Sequence, residues 1–299
     1  MRSVPITTRL AFGGIAVALM LGTAACGDDA GDGDNNTVGQ ASPSASSTVD
    51  AALAAKVPDA IKADGKIMVG TDSTYAPAEF LAEDGKTIQG FDVDLFNAVA
   101  AKFGLTAEFV TAPFDNIIPS VGSGKYEIGV SSFTVNDERK KVVDMVSYFA
   151  AGTQWAAKTG STITPDTACG KTVAVQKGTV QVDDLEARNK KCGADKIKIE
   201  QYQGQDEATA AVVSGKVDAM LADSPVVAYA VKQTNEQLTL IGEIYDSAPY
   251  GYVVKKNQGE FAQALADALK AAITDGTYRQ ALEKWGVEAG GITDPAVNP

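Results

Sequence analysis

The sequence predicts an α/β protein built from two similar lobes joined by a two-strand hinge. Short apolar strand patterns alternate with amphipathic helix patterns from Gly65 to Gly286. A weak internal repeat pairs residues 65–69 (GKIMV) with 170–174 (GKTVA), and 123–127 (SGKYE) with 214–218 (SGKVD). A chain that passes from one lobe to the other and then returns crosses twice, and two crossings predict a hinge.

The first lobe is predicted over residues 63–152 and is completed by a return segment over 247–290. Its first part contains a strand at 66–70, a helix with Asp92 as N-cap and a stop at Gly104, a strand at 107–110, a helix from Phe114 and a strand at 126–130. The return segment contains a strand at 250–254, a helix with apolar residues at 261, 265, 269 and 273, and a helix with Thr277 as N-cap. Residues 291–299 are predicted as a tail.

The second lobe is predicted over residues 153–246. A strand follows Gly170 and ends in a glycine-containing turn before a helix at 182–191. Further strand patterns lie at 197–200 and 217–222, with helices at 206–214 and after Ser224, which is the predicted N-cap.

Composition excludes several classes of function. The chain of 299 residues is 45% apolar, which is enough for a substantial core. Its net charge is −12, whereas nucleic-acid binding needs clustered Lys and Arg, so no nucleic-acid partner is expected. The chain has no histidine, which removes Ser-His-Asp and Cys-His catalysis and His-ligated zinc. We expect no catalytic residue, metal or cofactor.

The N-terminal residues 1–25 resemble a lipoprotein signal peptide. Two arginines precede an apolar run of about a dozen residues, which is shorter than the ~20 that a membrane-spanning helix needs. Small residues then lead into Cys26, as in the lipobox of bacterial lipoproteins. We expect lipid on Cys26 to anchor the chain outside the cell membrane, with a plain secreted chain as the alternative. Polar, low-complexity residues at 27–48 predict a flexible tether, which we assign to residues 26–62, and a short helix is predicted at 51–63.

Cys169 and Cys192 are 23 positions apart. This pair predicts a disulfide if the chain is exported and two reduced core thiols if it is not.

The ends of the two repeated strands carry opposite charges. The strand at 126–130 leads into Ser131, Ser132 and Thr134, and Arg139 follows one short turn later. Three hydroxyl groups and one guanidinium form a predicted cradle for a carboxylate. The second copy has Asp223 where the first has Ser132. The alternatives are that Arg139 is an exposed helix residue and that Asp223 only caps a helix.

Five motifs, in order along residues 65–287, resemble those of the family 3 extracellular solute-binding proteins of ABC importers: GTDSTYAP (70–77), GFDVDL (90–95), FDNIIP (114–119), ERKK (138–141) and DGTY (275–278). Relatives in that family include histidine-, lysine/arginine/ornithine- and glutamine-binding proteins. The resemblance implies a type II periplasmic-binding-protein fold, with two Rossmann-like lobes that close on a ligand held between them.

The resemblance also implies roles for individual residues. The ligand α-carboxylate would be held by Arg139 with help from Ser131, Ser132, Thr134 and Thr179, and the α-ammonium by Asp223. The ligand side chain would lie among Tyr75, Phe114, Asp72 and Gln176. Ala78 departs from the phenylalanine that is usual in the family, which leaves the identity of the substrate open.

These observations predict an extracytoplasmic receptor that captures a polar amino acid, cationic or amide-bearing, and delivers it to the permease of an ABC importer. We expect the receptor to be a monomer. Two other classes stay open: a carboxylate-dependent dehydratase of the prephenate or arogenate type on the same fold, and an amino-acid sensor.

Overall fold

The computed structural model describes residues 48–299. The predicted signal peptide, the lipidation of Cys26 and the tether as far as residue 47 lie outside the described residues. Within the described range, no helix has both the length and the apolar composition needed to cross a lipid bilayer.

Most of the strands form one eight-stranded sheet that runs through both lobes. The strands of this sheet are β1 (Lys66–Thr71), β5 (Thr106–Thr111), β6 (Ile128–Gly129), β7 (Val143–Lys158), β8 (Thr172–Gln176), β9 (Lys198–Tyr202), β10 (Ala219–Asp223) and β11 (Leu238–Lys255). Their order in the sheet is β5-β1-β6-β11-β7-β10-β8-β9. A small second sheet contains β2 (Thr74–Tyr75), β3 (Glu79–Leu81) and β4 (Ile88–Gln89).

The helices follow the predicted strand–helix alternation. They are α1 (Ala51–Ala55), α2 (Asp59–Lys62), α3 (Phe91–Lys102), α4 (Phe114–Ser123), α5 (Asp137–Val142), α6 (Val180–Lys191), α7 (Gln205–Val213), α8 (Ser224–Gln233), α9 (Phe261–Thr274) and α10 (Thr277–Trp285). Two short 3-10 helices lie at Pro165–Thr167 and Glu288–Gly290.

The long strands β7 and β11 connect the lobes. In the first lobe, β1 pairs in parallel with β5 and β6, and in the second lobe β8 pairs in parallel with β9 and β10. The antiparallel pairing of β7 with β11 shifts register once inside the first lobe, between Tyr250 and Gly251, and twice between Ile241 and Ala248. This irregular stretch lies where the chain crosses, as expected for a hinge, and the α/β class with two lobes is confirmed.

The repeated turns before β6 and β10 have the same construction. Gly124 and Gly215 both have a positive φ, of 82° and 76°. After each turn, a carboxylate accepts a hydrogen bond from the backbone of the neighbouring strand: Glu127 from the N–H of Met68 at 2.6 Å, and Asp218 from the N–H of Thr172 at 2.8 Å. The internal repeat in the sequence therefore corresponds to a repeated structure.

Three of the predicted helix caps are wrong. Helix α3 begins after Gly90, and Asp92 is buried in its first turn instead of capping it. Helix α8 has Asp223 at its N-cap position instead of Ser224, and α10 has Gly276 instead of Thr277. Gly90 has a φ of 142°, and a Cβ at this position would lie 2.0 Å from the carbonyl oxygen of Ala78. This close approach brings the start of α3 against the segment before β3 and turns Asp92 inward.

Residues at both ends of the described range pack more closely than predicted. The short helix predicted at 51–63 is present as two helices, α1 and α2. These residues, which the sequence assigned to the tether, bury Leu53, Val57 and Ile61 and so pack on the folded body. Part of the predicted tail runs beside β7, where Ala296 exchanges hydrogen bonds with Ser147 and the N–H of Asn298 donates to the carbonyl of Met145.

The second lobe is crosslinked at its outer end. Cys169 and Cys192 form a disulfide whose Cα atoms are 5.6 Å apart. Of the two alternatives left open by the spacing, the structure has the disulfide.

Candidate functional site

A small cavity lies between the lobes, at the carboxyl ends of the parallel strands, which is where open α/β sheets bind ligands. Its volume is about 10 Å³, roughly enough for one water molecule. Both lobes supply the lining side chains, which are Tyr75, Phe114, Ser132, Thr134, Arg139, Thr179, Val180, Gln181 and Asp223. The structure thus brings together most of the residues that the sequence predicted for the site.

Arg139 lies on the first-lobe side of the cavity. Its guanidinium donates to the carbonyl of Thr134 at 2.7 Å and, across the lobes, to the carbonyl of Gly178 at 3.2 Å. The same group lies 5.5 Å from the ring centres of Phe114 and Phe133, which stack on each other. Burial lowers the pKa of Arg139 to about 10, so the side chain is still a cation at neutral pH. Arg139 is therefore not the exposed helix residue of the alternative interpretation.

Asp223 lies on the second-lobe side, at the end of β10. Although it occupies the N-cap position of α8, its side chain makes no capping hydrogen bond. The carboxylate instead accepts a hydrogen bond from the Tyr75 hydroxyl at 2.9 Å and one from the Gln181 amide at 2.7 Å. Burial raises the pKa of Asp223, while its hydrogen-bond donors and Arg139 act in the opposite direction. The cavity therefore has a buried acid in one lobe and a cation in the other.

Three predicted site residues lie outside the cavity lining and are bonded within the protein. Asp72 accepts hydrogen bonds from the backbone of Phe114 and, across the lobes, from the side-chain amide of Gln176, each at 3.1 Å. The Ser131 hydroxyl accepts from the N–H of Asp72 at 3.0 Å and donates to Glu79 at 2.8 Å. Ala78, the departure from the family pattern, is fully buried and also lies away from the cavity.

The surroundings of Asp72 favour its neutral form more than water does. Burial raises the pKa of Asp72, and the nearby charge of Asp206 acts in the same direction, whereas the hydrogen bonds from Thr74 and Phe114 oppose it. A cation placed beside Asp72 would favour its ionised form.

The lobes also touch at the edge of the cleft. Asp115, near the start of α4, forms an ion pair with Lys177 at 2.8 Å and accepts from the Gln203 amide at 3.2 Å. Gly178 follows Lys177 with a φ of 81°, and a Cβ there would lie 2.9 Å from the Cβ of Asp115. Glycine at this position allows the second lobe to approach the first.

Gln181, Val180 and the ion pair of Asp115 with Lys177 were not predicted from the sequence. Gln181 is 2% exposed in the first turn of α6, and its amide also donates to Thr153. The sequence does contain a signal for Gln181: it is a polar residue at the start of a helix, two positions after Thr179.

No cluster of three or more potential metal ligands occurs among residues 48–299.

A family model for bacterial extracellular solute-binding proteins, family 3, matches residues 67–288. One similar relative is the arginine-binding protein ArgT of Corynebacterium glutamicum, which is 35% identical over 252 residues, or 82% of each chain.

Two solved structures are similar over most of this chain. An ancestral arginine-binding protein bound to arginine has a TM-score of 0.70 and 36% identity, covering 74% of this chain and 98% of that one. An ancestral amino acid-binding protein, described as a precursor of cyclohexadienyl dehydratase, has a TM-score of 0.68 and 36% identity, covering 76% and 98%.

Proposed function

This chain belongs to the bacterial extracellular solute-binding proteins, family 3, and we propose that it captures a cationic or amide-bearing amino acid for an ABC importer. The observation that carries the proposal is the placement of Arg139 and Asp223 on opposite lobes of one cavity. A zwitterion has one charge for each of them.

The carboxylate of the ligand would bind Arg139 on the first lobe. Ser132, Thr134 and Thr179 also line this space. The hydroxyls of Ser132 and Thr179 now donate to Asp92 and to the carbonyl of Gln176, so each would have to turn to donate to the ligand. A carboxylate would take the place of the carbonyl of Gly178 as an acceptor for the guanidinium and would make a stronger, charge-assisted hydrogen bond there.

The ammonium group of the ligand would bind Asp223 on the second lobe. It would donate to the carboxylate in place of the Tyr75 hydroxyl, which now occupies that position at 2.9 Å. Because an ammonium brings a full positive charge, it would keep Asp223 ionised despite burial.

The ligand side chain would lie beside Tyr75 and Phe114 and extend toward Asp72. An arginine side chain suits this path, since a planar guanidinium can both stack on an aromatic ring and bind a carboxylate in a bidentate way. When the ligand binds Asp72, the hydrogen bond from the Gln176 amide to Asp72 would break. The names of the similar proteins, several of which bind arginine, agree with this choice.

Binding requires the lobes to separate, because a cavity of about 10 Å³ cannot admit an amino acid. The irregular pairing of β7 with β11 is the proposed hinge. We propose lobe boundaries at 63–152 with 247–290, and at 153–246. A ligand that bridges both lobes favours the closed state, because neither lobe alone binds both of its charges.

Calorimetry and thermal shift with a matched ligand set test this function. We expect L-arginine to bind and to raise the unfolding temperature, since a ligand at ~100 times its dissociation constant adds ~2.7 kcal/mol. Agmatine, which lacks the carboxylate, tests the interaction with Arg139, and L-citrulline, which lacks the side-chain charge, tests the interaction with Asp72. Equal affinity for agmatine and arginine would contradict the zwitterion model, and no response to any amino acid would contradict the function.

We also propose that the protein binds its ligand without changing it. The family and the named relatives are solute-binding proteins, although one structural neighbour is described as a dehydratase precursor. Incubation with prephenate and with arogenate, followed by chromatography, separates the two possibilities, because product formation would indicate the dehydratase.

The extracytoplasmic location follows from the family, and we propose that lipid on Cys26 anchors the chain to the membrane as a monomer. Cys26 lies outside the described residues, so the support is the sequence pattern alone. In cells, Cys26→Ser is expected to move the protein from the membrane fraction to the soluble fraction. Sedimentation of the soluble form tests the monomer.

A further inference from the structure

Two acids are fully buried beneath the cradle in the first lobe. Glu79 at the start of β3 and Asp92 in the first turn of α3 each have 0% exposure. Neither forms an ion pair with a Lys or Arg in the described part of the chain. Burying an ionised carboxylate without a cation costs free energy, so something other than an ion pair must stabilise Glu79 and Asp92.

Each acid holds one of two consecutive cradle residues. Glu79 accepts a hydrogen bond from the Ser131 hydroxyl at 2.8 Å. Asp92 accepts from the N–H of Ser132 at 2.8 Å, from its hydroxyl at 3.2 Å and from the hydroxyl of Tyr148 at 2.6 Å. Ser132 has a φ of 50°, which is uncommon for a residue other than glycine. The hydrogen bonds to Asp92 stabilise this conformation, and Ser132 lines the ligand cavity.

The remaining oxygen of each acid is buried without a donor. These atoms are Oε2 of Glu79 and Oδ1 of Asp92, and the two carboxyl groups lie within hydrogen-bond reach of each other. Two ionised carboxylates have no hydrogen to donate and would repel each other. A single proton between them would satisfy both oxygens and remove one of the two buried charges.

The surroundings decide which acid carries the proton. Asp92 receives hydrogen bonds from Ser132 and Tyr148, whereas Glu79 receives one from Ser131. Burial raises the pKa of Asp92 to about 6 and that of Glu79 well above its usual range, where the charge of Asp92 adds to the effect. The other titratable groups that face the pair are acids and phenols: Asp72, Tyr75, Tyr148 and Tyr252. The larger number of donors therefore favours the charge on Asp92 and the proton on Glu79.

We propose that Glu79 and Asp92 share one proton and act together as positioning residues, which fix the Ser131–Ser132 turn of the ligand cradle. The link to binding rests on the proposed function, whereas the shared proton does not. Loss of the proton would place two like charges beneath the turn and displace Ser132. Ligand affinity is then expected to fall as the pH rises through the range in which Glu79 ionises.

Infrared spectroscopy of the ligand-free protein tests the proton directly. We expect the carbonyl band of a protonated carboxylic acid at pH 7 in the wild type, and its loss in Glu79→Gln. Absence of this band in the wild type at pH 7, or a band that persists unchanged in Glu79→Gln, would overturn the proposal whether or not the protein binds an amino acid.

Titration with L-arginine from pH 6 to pH 9 tests the positioning role. Glutamine at 79 imitates the protonated acid, so Glu79→Gln is expected to bind within about threefold of the wild type at pH 7 and to bind with a flatter pH profile. Asp92→Asn replaces the charged acceptor of the Ser132 and Tyr148 hydrogen bonds and is expected to weaken binding at least tenfold. Equal losses in both variants, or the same pH profile in Glu79→Gln and the wild type, would refute the positioning role.

Circular dichroism shows whether the variants fold. If Asp92→Asn is unfolded, the comparison of Glu79→Gln with the wild type still decides the outcome.

Discussion

The turns before β6 and β10 are built alike, yet the strands that follow them end in different chemistry. In the first lobe, β6 leads through the strained Ser132 and a short loop to α5, which contains Arg139. In the second lobe, β10 ends at Asp223 and α8 follows at once. A common scaffold thus delivers a cation from one side of the cleft and an acid from the other.

The polar interiors of the lobes differ as well. The first lobe buries four acidic or basic side chains, Asp72, Glu79, Asp92 and Lys102. The buried polar residues of the second lobe are mostly threonine and glutamine, with Asp223 as its one buried acid among the described residues. Amides need no counter-charge when buried, but carboxylates do. In the second lobe, Asp223 has hydrogen bonds from Tyr75 and Gln181 and the charge of Arg139 nearby. In the first lobe, Glu79 and Asp92 lie beside each other without a cation, so the proposed shared proton is a feature of that lobe.

The largest expected effect comes from removing the cation of the first lobe. Arg139→Ala should weaken L-arginine binding by more than a hundredfold in calorimetry, since charge-assisted hydrogen bonds contribute ~1.5 to 3 kcal/mol each and leaving a buried partner charge unpaired costs ~2 to 5 kcal/mol. Lys141→Ala, at an exposed position in the same helix, is the control and should bind normally. Near-normal affinity in Arg139→Ala would refute the role of the first lobe.

Removing the acid of the second lobe should weaken binding by about a hundredfold. Asp223→Asn keeps the shape and can still accept from Tyr75, but it loses the charge that the ammonium needs. Asp183→Asn is a matched control, because Asp183 is an exposed acid of the same lobe that acts on Arg139 only through its charge. A loss in Asp183→Asn as large as that in Asp223→Asn would mean that the overall charge of the lobe, and not a specific contact, controls affinity.

The sequence predicted the elements and the two charged strand ends well, because both depend on local patterns. Strand alternation, the glycine turns and the repeat around Gly124 and Gly215 are encoded within a few residues of each feature. Arg139 and Asp223 follow those turns at short range, so the repeat was enough to pair them.

The sequence did not predict how polar side chains pair over long distances. Asp92 follows Gly90 in the pattern of an N-cap, but the close approach of Gly90 to Ala78 buries it beside Glu79. Asp72 similarly bonds to Gln176, which is 104 residues away in the chain. Such pairs depend on tertiary packing, and no local rule indicates them.

The pH dependence of stability tests the asymmetry between the lobes. Between the usual carboxyl range and its raised pKa, Glu79 keeps a proton in the folded state that the unfolded chain releases, so the free energy of unfolding falls as the pH rises. One such proton gives a slope of at most about 1.4 kcal/mol per pH unit. The chain has no histidine to titrate between pH 6 and 8, and Asp92 titrates near the lower limit. Urea unfolding should therefore give a shallower slope in Glu79→Gln than in the wild type, and equal slopes would contradict the raised pKa.

The smallest expected effect is on stability, from substitutions in the turns before β6 and β10, which are built alike in the two lobes. Glu127→Ala and Asp218→Ala each remove one carboxylate acceptor of a strand N–H, and a hydrogen bond contributes about 0.5 to 1.5 kcal/mol. Because Glu127 is half-buried and Asp218 is exposed, the loss in urea unfolding should be slightly larger in the first lobe. Both variants should bind L-arginine within twofold of the wild type, since neither side chain lines the cavity. A clear loss of affinity in either variant would show that the turns do more than support the strands, and that the two lobes differ at the scaffold as well as at the strand ends.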